Sequence, residues 1–188
     1  MPFPTILQID AERLYLRPVQ AEDLPALWVV NGDAEVTRYL PYDTWQSLED
    51  GQVWLTRMQA VRTTGTGEQL VVVRRSDQRV IGSLLLFRYD ETHRRIELGY
   101  ALGRDHWRQG LMTEAVRATC AYVFGSLGIR RIEAEVNPNN QASCAVLLRS
   151  GFVLEGRLRQ RWLSNGEPYD TDIYGCLATE WLTAVNKS

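Results

Sequence analysis

The order of elements between Arg94 and Phe152 constrains the fold of this chain most strongly. The segment from Arg94 to Leu102 alternates apolar side chains with small or polar ones, as a half-buried strand does. A short basic loop with a glycine follows, and apolar residues recur at helical spacing from Leu111. Because the segment from Arg130 to Val136 alternates again, we predict a strand, a helix and a second strand parallel to the first.

The loop between the first of these strands and the helix has the properties of an anion site. The first turn of a helix leaves backbone N–H groups without intrahelical partners, and the helix dipole adds partial positive charge. Gly110 lets a ligand approach the backbone closely, while Arg104 and Arg108 add positive side chains. A pyrophosphate would fit there, although an ordinary turn between a strand and a helix can have the same sequence.

The second parallel strand ends in a turn that also starts a helix. Residues 137–140 read Asn-Pro-Asn-Asn, which supplies both turn residues and an N-cap for a helix from Gln141 to Ser150. Gly151 is predicted to end that helix in a left-handed conformation, with Phe152 packed back on its last turn. Ligands collect at the carboxyl ends of parallel strands in open α/β sheets, so the functional site is expected there.

The rest of the chain supplies further strands and helices. Strands are predicted over residues 13–18, 69–74, 80–88, 152–162 and 169–177, and helices from Ala21 and from Ser47. The last two strands form a hairpin around Ser164-Asn165-Gly166, and the aromatic-rich tract 39–45 is a loop.

Length and charge bound the class of protein. A chain of 188 residues can bury one substantial core, so we expect a single domain over residues 1–188, with its core at about 11–182. The net charge of -2 gives no overall attraction to nucleic acid or to acidic lipid, and neither is expected as a direct partner.

Cysteine and histidine content argues against a disulfide framework and against a metal site. The chain has three cysteines at wide spacing and only two histidines. No stretch approaches the length of a membrane span without a charge or a helix breaker. A cytoplasmic location without a membrane partner is therefore expected.

Taken together, these tracts resemble the Gcn5-related N-acetyltransferase (GNAT) family, within it the branch of ribosomal-protein N-terminal acetyltransferases typified by RimJ and RimL. The tracts that carry the resemblance are Glu12 to Pro18, Ile96 to Tyr100, Trp107 to Ala115, Asn137 to Ser143, Gly151 to Gly156 and Asn165 to Tyr174. The resemblance implies an α/β fold with a mixed, mostly antiparallel twisted sheet of about seven strands and about four flanking helices. Its parallel strand pair would be splayed at the cofactor site.

The resemblance also implies acetyl-coenzyme A as the acetyl donor, with no metal. Its pyrophosphate would lie on the backbone of the loop, and its pantetheine beside the strand that ends at Leu102. The implied cofactor-binding residues are Tyr100, Leu102, Trp107, Arg108, Gln109, Gly110, Leu111, Met112, Thr113, Asn137, Asn140 and Ser143. The chain departs from the general family loop at Trp107, Arg108 and Met112.

Two residues are candidates for catalysis. The position of the family's proton-donating tyrosine is Leu147, and Ser143, one turn after Asn140, is the substitute that the branch implies. Ser143 has an alternative interpretation as a hydrogen-bonding residue of the helix start. Glu97 is the candidate base, and its alternative is an ion pair with Arg94, Arg95 or a neighbouring arginine.

The acceptor implied by the resemblance is a primary amine, foremost the N-terminal α-amine of a protein or peptide. An α-amine has a pKa near neutrality, so a modest base suffices to deprotonate it. Tyr39, Trp45 and Glu97 are the candidate acceptor-binding residues. A small-molecule amine such as a polyamine, and a non-catalytic acyl-coenzyme A-binding module, stay open as alternatives. So do a monomer and a homodimer.

Overall fold

The computed structural model describes residue 3 and residues 7–164 and 167–185. Eight strands and six α-helices lie in these ranges. The strands are β1 (Ile9–Asp10), β2 (Leu14–Pro18), β3 (Glu68–Arg74), β4 (Arg79–Asp90), β5 (Arg95–Leu102), β6 (Arg131–Val136), β7 (Val153–Ser164) and β8 (Glu167–Leu177). The helices are α1 (Leu24–Asn31), α2 (Ala34–Thr37), α3 (Leu48–Thr63), α4 (Leu111–Gly125), α5 (Gln141–Arg149) and α6 (Ala178–Val185).

The eight strands form one sheet in the order β1-β2-β3-β4-β5-β6-β8-β7. Neighbouring strands are antiparallel except β5 and β6, which run parallel. The parallel pairing begins at Arg95 with Arg131 and ends at Glu97 with Glu133, so the two strands separate beyond these residues. The predicted mixed sheet with a splayed parallel pair is confirmed.

Alternation along β3 divides the core into two layers. Leu70 and Val72 belong to a large apolar cluster with residues of α4, α5 and α6, whereas Val71 and Val73 belong to a smaller cluster with residues of α1 and α3. Successive side chains of a strand point to opposite faces of the sheet. Therefore α4, α5 and α6 cover one face, and α1 and α3 cover the other.

Local sequence signals start and end the helices as expected. Ser47 and Asp50 form a capping box at the start of α3, which satisfies backbone N–H groups of the first turn. The Asn140 side chain accepts a hydrogen bond from the Ser143 N–H and caps α5. Gly151 ends α5 with a φ of 89°, and the Phe152 N–H donates to the Leu147 carbonyl at 3.0 Å.

The described residues form eight strands and six α-helices, where the sequence predicts about seven and about four. The two-residue strand β1 and the four-residue helix α2 are too short to show a periodicity in the sequence. The helix α6 was also missed. It is held by tertiary packing, with Trp181 against Phe124 at 5.7 Å between ring centroids.

Two further predictions concern the turn of the last hairpin and membrane spans. The predicted hairpin turn includes Asn165 and Gly166, which lie outside the described residues. None of the described helices is both long and apolar enough to cross a membrane.

Candidate active site

A cleft opens where β5 and β6 separate. Residues of β4, β5, β6, β7 and β8 line it, together with the start of α5 and the loop at 39–41. The sheet register explains the opening, because no parallel pair follows Glu97 and Glu133. Backbone groups near the end of β5 are therefore free of β6.

The loop that follows β5 ends in a helix start suited to an anion. Gly110 and Arg108 have φ values of 75° and 59°, both left-handed. Within the described part of the chain no side chain caps α4, and the Glu114 N–H, which donates to the Gly110 carbonyl at 3.0 Å, makes the first helical bond. The preceding N–H groups of Leu111, Met112 and Thr113 are left for a ligand. Such a helix start fits a pyrophosphate.

Arg13, at the edge of β2, braces this loop. Its Nη1 donates to the Gln109 carbonyl at 3.0 Å, and its Nε donates to Glu114 Oε2 at 2.7 Å. The Arg13 backbone N–H also donates to Glu114 Oε1 at 2.7 Å. Sequence reasoning missed this brace because its partners lie far apart in the chain.

Two further side chains of the loop are engaged within the protein. Trp107 Nε1 donates to the Leu102 carbonyl at 2.7 Å, which ties the loop to the end of β5. Arg104 pairs with Asp33 at 2.9 Å, so the positive charge that the sequence predicts for the loop is partly compensated by a carboxylate.

Ser143 faces the cleft from the first turn of α5 and meets Tyr100 of β5. The Tyr100 hydroxyl donates to the Ser143 carbonyl at 3.1 Å, and it lies 2.9 Å from Ser143 Oγ. Burial raises the pKa of Tyr100, so its hydroxyl stays protonated. Asn140 bonds the Ser143 backbone N–H rather than its hydroxyl. The structure thus pairs two hydroxyl groups that sequence reasoning had considered separately.

The neighbours of Ser143 on α5 have other surroundings. Leu147 is 0% exposed and belongs to the large core cluster, and Cys144 is buried in the same cluster. Asn137, before the helix, accepts a hydrogen bond from the Asn139 N–H at 2.9 Å, which stabilises the turn.

Glu97 of β5 lies in the cleft and is only 7% exposed. Its Oε2 accepts from Arg88 Nη1 at 2.7 Å. Burial raises the pKa of Glu97, and the Arg88 guanidinium offsets part of that rise. The ion pair considered as an alternative therefore exists, but with Arg88. Arg95 instead pairs with Glu133 at 2.9 Å.

A second cleft carboxylate, Glu135 of β6, was missed. Its Oε2 accepts from Trp162 Nε1 at 2.7 Å, and its Oε1 lies 3.3 Å from Arg88 Nη1 and 3.5 Å from Arg161 Nη2. The alternation along β6 could have indicated this position. Residues two apart in a strand share a face, and β6 runs beside β5. Glu135 therefore joins Glu97 at Arg88.

The two aromatic residues proposed for the acceptor side differ in position. Tyr39 lines the cleft from the loop before α3. Trp45 does not, which corrects its predicted role: it is 5% exposed and packs against Trp54 with ring centroids 5.5 Å apart. Burial of both indole rings stabilises the small core, and an exposed Trp45 ring would lose this stabilisation.

Comparison with known proteins agrees on one family. A family model described as an acetyltransferase (GNAT) domain matches residues 13–153. The N-acetyltransferase YoaA of Bacillus subtilis is 34% identical over 166 residues, which cover 88% of this chain and 94% of YoaA.

Two relatives carry names that include an acceptor. The Escherichia coli spermidine N(1)-acetyltransferase is 25% identical over 182 residues, 95% of this chain and 93% of that protein. The ribosomal-protein-serine acetyltransferase of the same species is 31% identical over 98 residues, 52% of this chain and 55% of that protein.

Solved structures share the fold. RimL, a ribosomal L7/L12 alpha-N-protein acetyltransferase in complex with coenzyme A, has a TM-score of 0.83 at 23% identity, over 91% of this chain and 98% of that chain. The spermidine N-acetyltransferase of Vibrio cholerae in complex with CoA and spermine has a TM-score of 0.79 at 20% identity, over 90% of this chain and 98% of that chain.

Proposed function

The chain belongs to the GNAT family of N-acetyltransferases, and we propose that it transfers an acetyl group from acetyl-coenzyme A to the N-terminal α-amine of a protein or peptide. The observation that carries this proposal is the presence of three features along β5 and the loop that follows it. These are the uncapped start of α4, the buried carboxylate of Glu97, and the Ser143–Tyr100 hydroxyl pair.

Support for the donor comes from the loop at the start of α4. Left-handed Arg108 and Gly110 lead into three first-turn N–H groups, and such a backbone concavity favours the oxygens of a pyrophosphate. Arg13 holds the loop in this shape through the Gln109 carbonyl. Acetyl-coenzyme A, when bound, supplies a thioester whose acetyl carbon can accept an amine directly.

Glu97 and Ser143 have complementary roles in this proposal. Glu97 accepts a proton from the acceptor amine, directly or through water, so that the nitrogen lone pair is free to form the new C–N bond. Ser143 donates its hydroxyl proton toward the departing sulfur as the C–S bond breaks. The Tyr100 hydroxyl, kept neutral by burial, lies 2.9 Å from Ser143 Oγ. When the serine proton turns toward the sulfur, the Tyr100 hydroxyl donates to Oγ in place of the Ser143 carbonyl. Position and proton transfer are what the protein must contribute.

The acceptor side favours a peptide terminus over a polyamine. Aromatic side chains of Tyr39, Phe87, Trp162 and Tyr169 line the cleft, as suits the side chains of a peptide. A polyamine would gain most from unpaired carboxylates. Here the acidic residues of the described cleft lining, Glu97 and Glu135, already have arginine partners.

The test is a thiol-release screen with purified protein and acetyl-coenzyme A. The acceptors are peptides with a free α-amine, the same peptides with a blocked N-terminus, and small amines that include spermidine. We expect thiol release with the free peptides and none with the blocked ones. Release with spermidine alone would replace the peptide acceptor by a small amine, and binding of acetyl-coenzyme A without any release would contradict an enzymatic role.

Ser143→Ala should lower turnover on the order of a hundredfold while leaving the affinity for acetyl-coenzyme A nearly unchanged. The matched control is Ser126→Ala, because Ser126 is an exposed serine at the end of α4. Single-turnover rates and an equilibrium titration of the coenzyme separate the two effects. Unchanged turnover in Ser143→Ala would remove Ser143 from the mechanism.

A further inference from the structure

Arg88 is held over the cleft by an irregularity of β4. The pairing of β4 with β5 shifts its register between Phe87 and Asp90, and Arg88 within that bulge has a φ of 52°. A left-handed conformation is costly for an arginine, and such conformations persist where the surroundings determine them. The bulge re-aims this side chain toward β6.

Two aromatic rings flank the guanidinium. Arg88 Cζ lies 5.5 Å from the centroid of the Phe87 ring and 6.0 Å from that of Trp162. The Trp162 Nε1 in turn donates to Glu135 at 2.7 Å. A cation close to two aromatic rings gains electrostatic attraction from both. Arg88 is therefore restrained although its side chain is 46% exposed.

One nitrogen of Arg88 serves both cleft carboxylates. Its Nη1 lies 2.7 Å from Glu97 Oε2 and 3.3 Å from Glu135 Oε1. An ammonium group that enters the cleft would find its best position at this point, between two carboxylates from adjacent strands. The protein's own guanidinium occupies that point.

We propose that Arg88 is a specificity-determining residue, which lets the cleft accept an amine with one positive charge and reject diamines and polyamines. The proposal deepens the function proposed above and rests on it for the identity of the acceptor side. A second ammonium would have to displace Arg88 or approach its positive charge, and like charges placed together are a common device for rejecting a competing ligand.

The experiment compares two ligands that differ by one ammonium group, butylamine and 1,4-diaminobutane. Their dissociation constants are measured by NMR titration of the coenzyme A-bound protein at about pH 8, where alkylamines are protonated and carboxyl groups are ionised. For the unsubstituted protein we expect the diamine to bind no more tightly than butylamine. In Arg88→Met the preference should rise about tenfold, because Glu97 loses its arginine partner and Glu135 keeps only Trp162 and the more distant Arg161, so that the second ammonium gains a place beside both carboxylates.

Three further variants make the result specific. Arg88→Lys retains the charge and should keep most of the discrimination. Arg79→Met, at an exposed arginine of the same strand outside the cleft, should leave the preference unchanged. Adding Glu135→Gln to Arg88→Met should remove most of the gained preference, since it removes one of the two carboxylates.

The outcomes separate this proposal from the proposed function. A folded Arg88→Met protein with unchanged preference, or a double variant that keeps the gain, would overturn the role of Arg88. So would an unsubstituted protein that already binds the diamine much more tightly. The measurement on the unsubstituted protein tests the role of Arg88 even if Arg88→Met does not fold. In that case Arg88→Gln serves as a second variant without the positive charge. Failure of the thiol-release screen would instead contradict the acceptor or the enzymatic role, because the affinity ratio does not depend on turnover.

Discussion

Burial and a charged neighbour act in opposite directions on the carboxyl group of Glu97. Removal from water disfavours the charged form and raises the pKa, whereas the Arg88 guanidinium at 2.7 Å lowers it. The negative charges of Glu135 and Glu133 on β6 raise the pKa further. The net pKa is above the ordinary carboxyl range, which suits a group that must accept a proton.

This shift predicts a pH dependence. A base works in its deprotonated form, so turnover should rise with pH through the raised pKa of Glu97, above the range of an ordinary carboxyl group. Glu97→Gln should lower kcat by on the order of a hundredfold and remove that rise. Profiles of kcat against pH for the two proteins measure both effects. Glu91→Gln, at an exposed position in the turn before β5, is the control. An unaltered profile in Glu97→Gln would assign the base elsewhere.

At the scale of one element, the start of α4 depends on backbone conformation more than on side chains. Gly110 has a φ of 75°, while a Cβ at this position would meet Arg13 Nη2 only at 3.6 Å, an ordinary contact. The requirement for glycine is thus conformational rather than steric. An L-residue there costs roughly 1–2 kcal/mol or distorts the loop.

Gly110→Ala should therefore weaken coenzyme binding, measured as the dissociation constant of acetyl-coenzyme A, by about tenfold. Gly128, beyond the other end of α4, has a φ of 63°, and a Cβ added there would meet no atom within 4 Å, so Gly128→Ala brings similar strain far from the loop. It should lower stability without changing the affinity. Equal affinity losses in the two variants would attribute the effect to general strain and would contradict the anion-binding role of the loop.

At the scale of the whole molecule, the site depends on how α5 is seated on the sheet. Leu147 anchors α5 in the large core cluster, one turn after Ser143. Residue 147, which the resemblance aligns with a tyrosine of the family, is thus part of the core. The hydroxyl function proposed for this chain lies instead at Ser143, with Tyr100 of β5 beside it.

Leu147→Ala should destabilise the fold by about 2–5 kcal/mol, because a fully buried leucine leaves a cavity. Leu148→Ala, at the next and exposed position of α5, should change stability by less than about 0.5 kcal/mol. Denaturant unfolding of the two variants gives the difference. Similar small effects for both would mean that α5 is not anchored through Leu147.

Much of this architecture was predictable because its causes are local. Alternation along β5 and β6, the helical spacing after Gly110, the Asn140 cap and the left-handed Gly151 each depend on residues within a few positions of one another. They were enough to predict the parallel pair and the resemblance to one family, whereas the anion-binding role of the loop before α4 stays a prediction. The short elements β1 and α2 offer no such periodicity.

By itself, the sequence determined the order of the longer elements and the signals that start and end the longer helices, and it predicts a pyrophosphate site at the loop before α4. Only the tertiary structure decided which side chains meet in the cleft. Arg88 reaches Glu97 and Glu135 because a bulge in β4 and the splay of β5 from β6 bring three strands together. Trp45 turned into the core for a similar reason, since its partner Trp54 lies on the next helix. Contacts between distant segments depend on the packing of the whole chain, and local periodicity does not predict them.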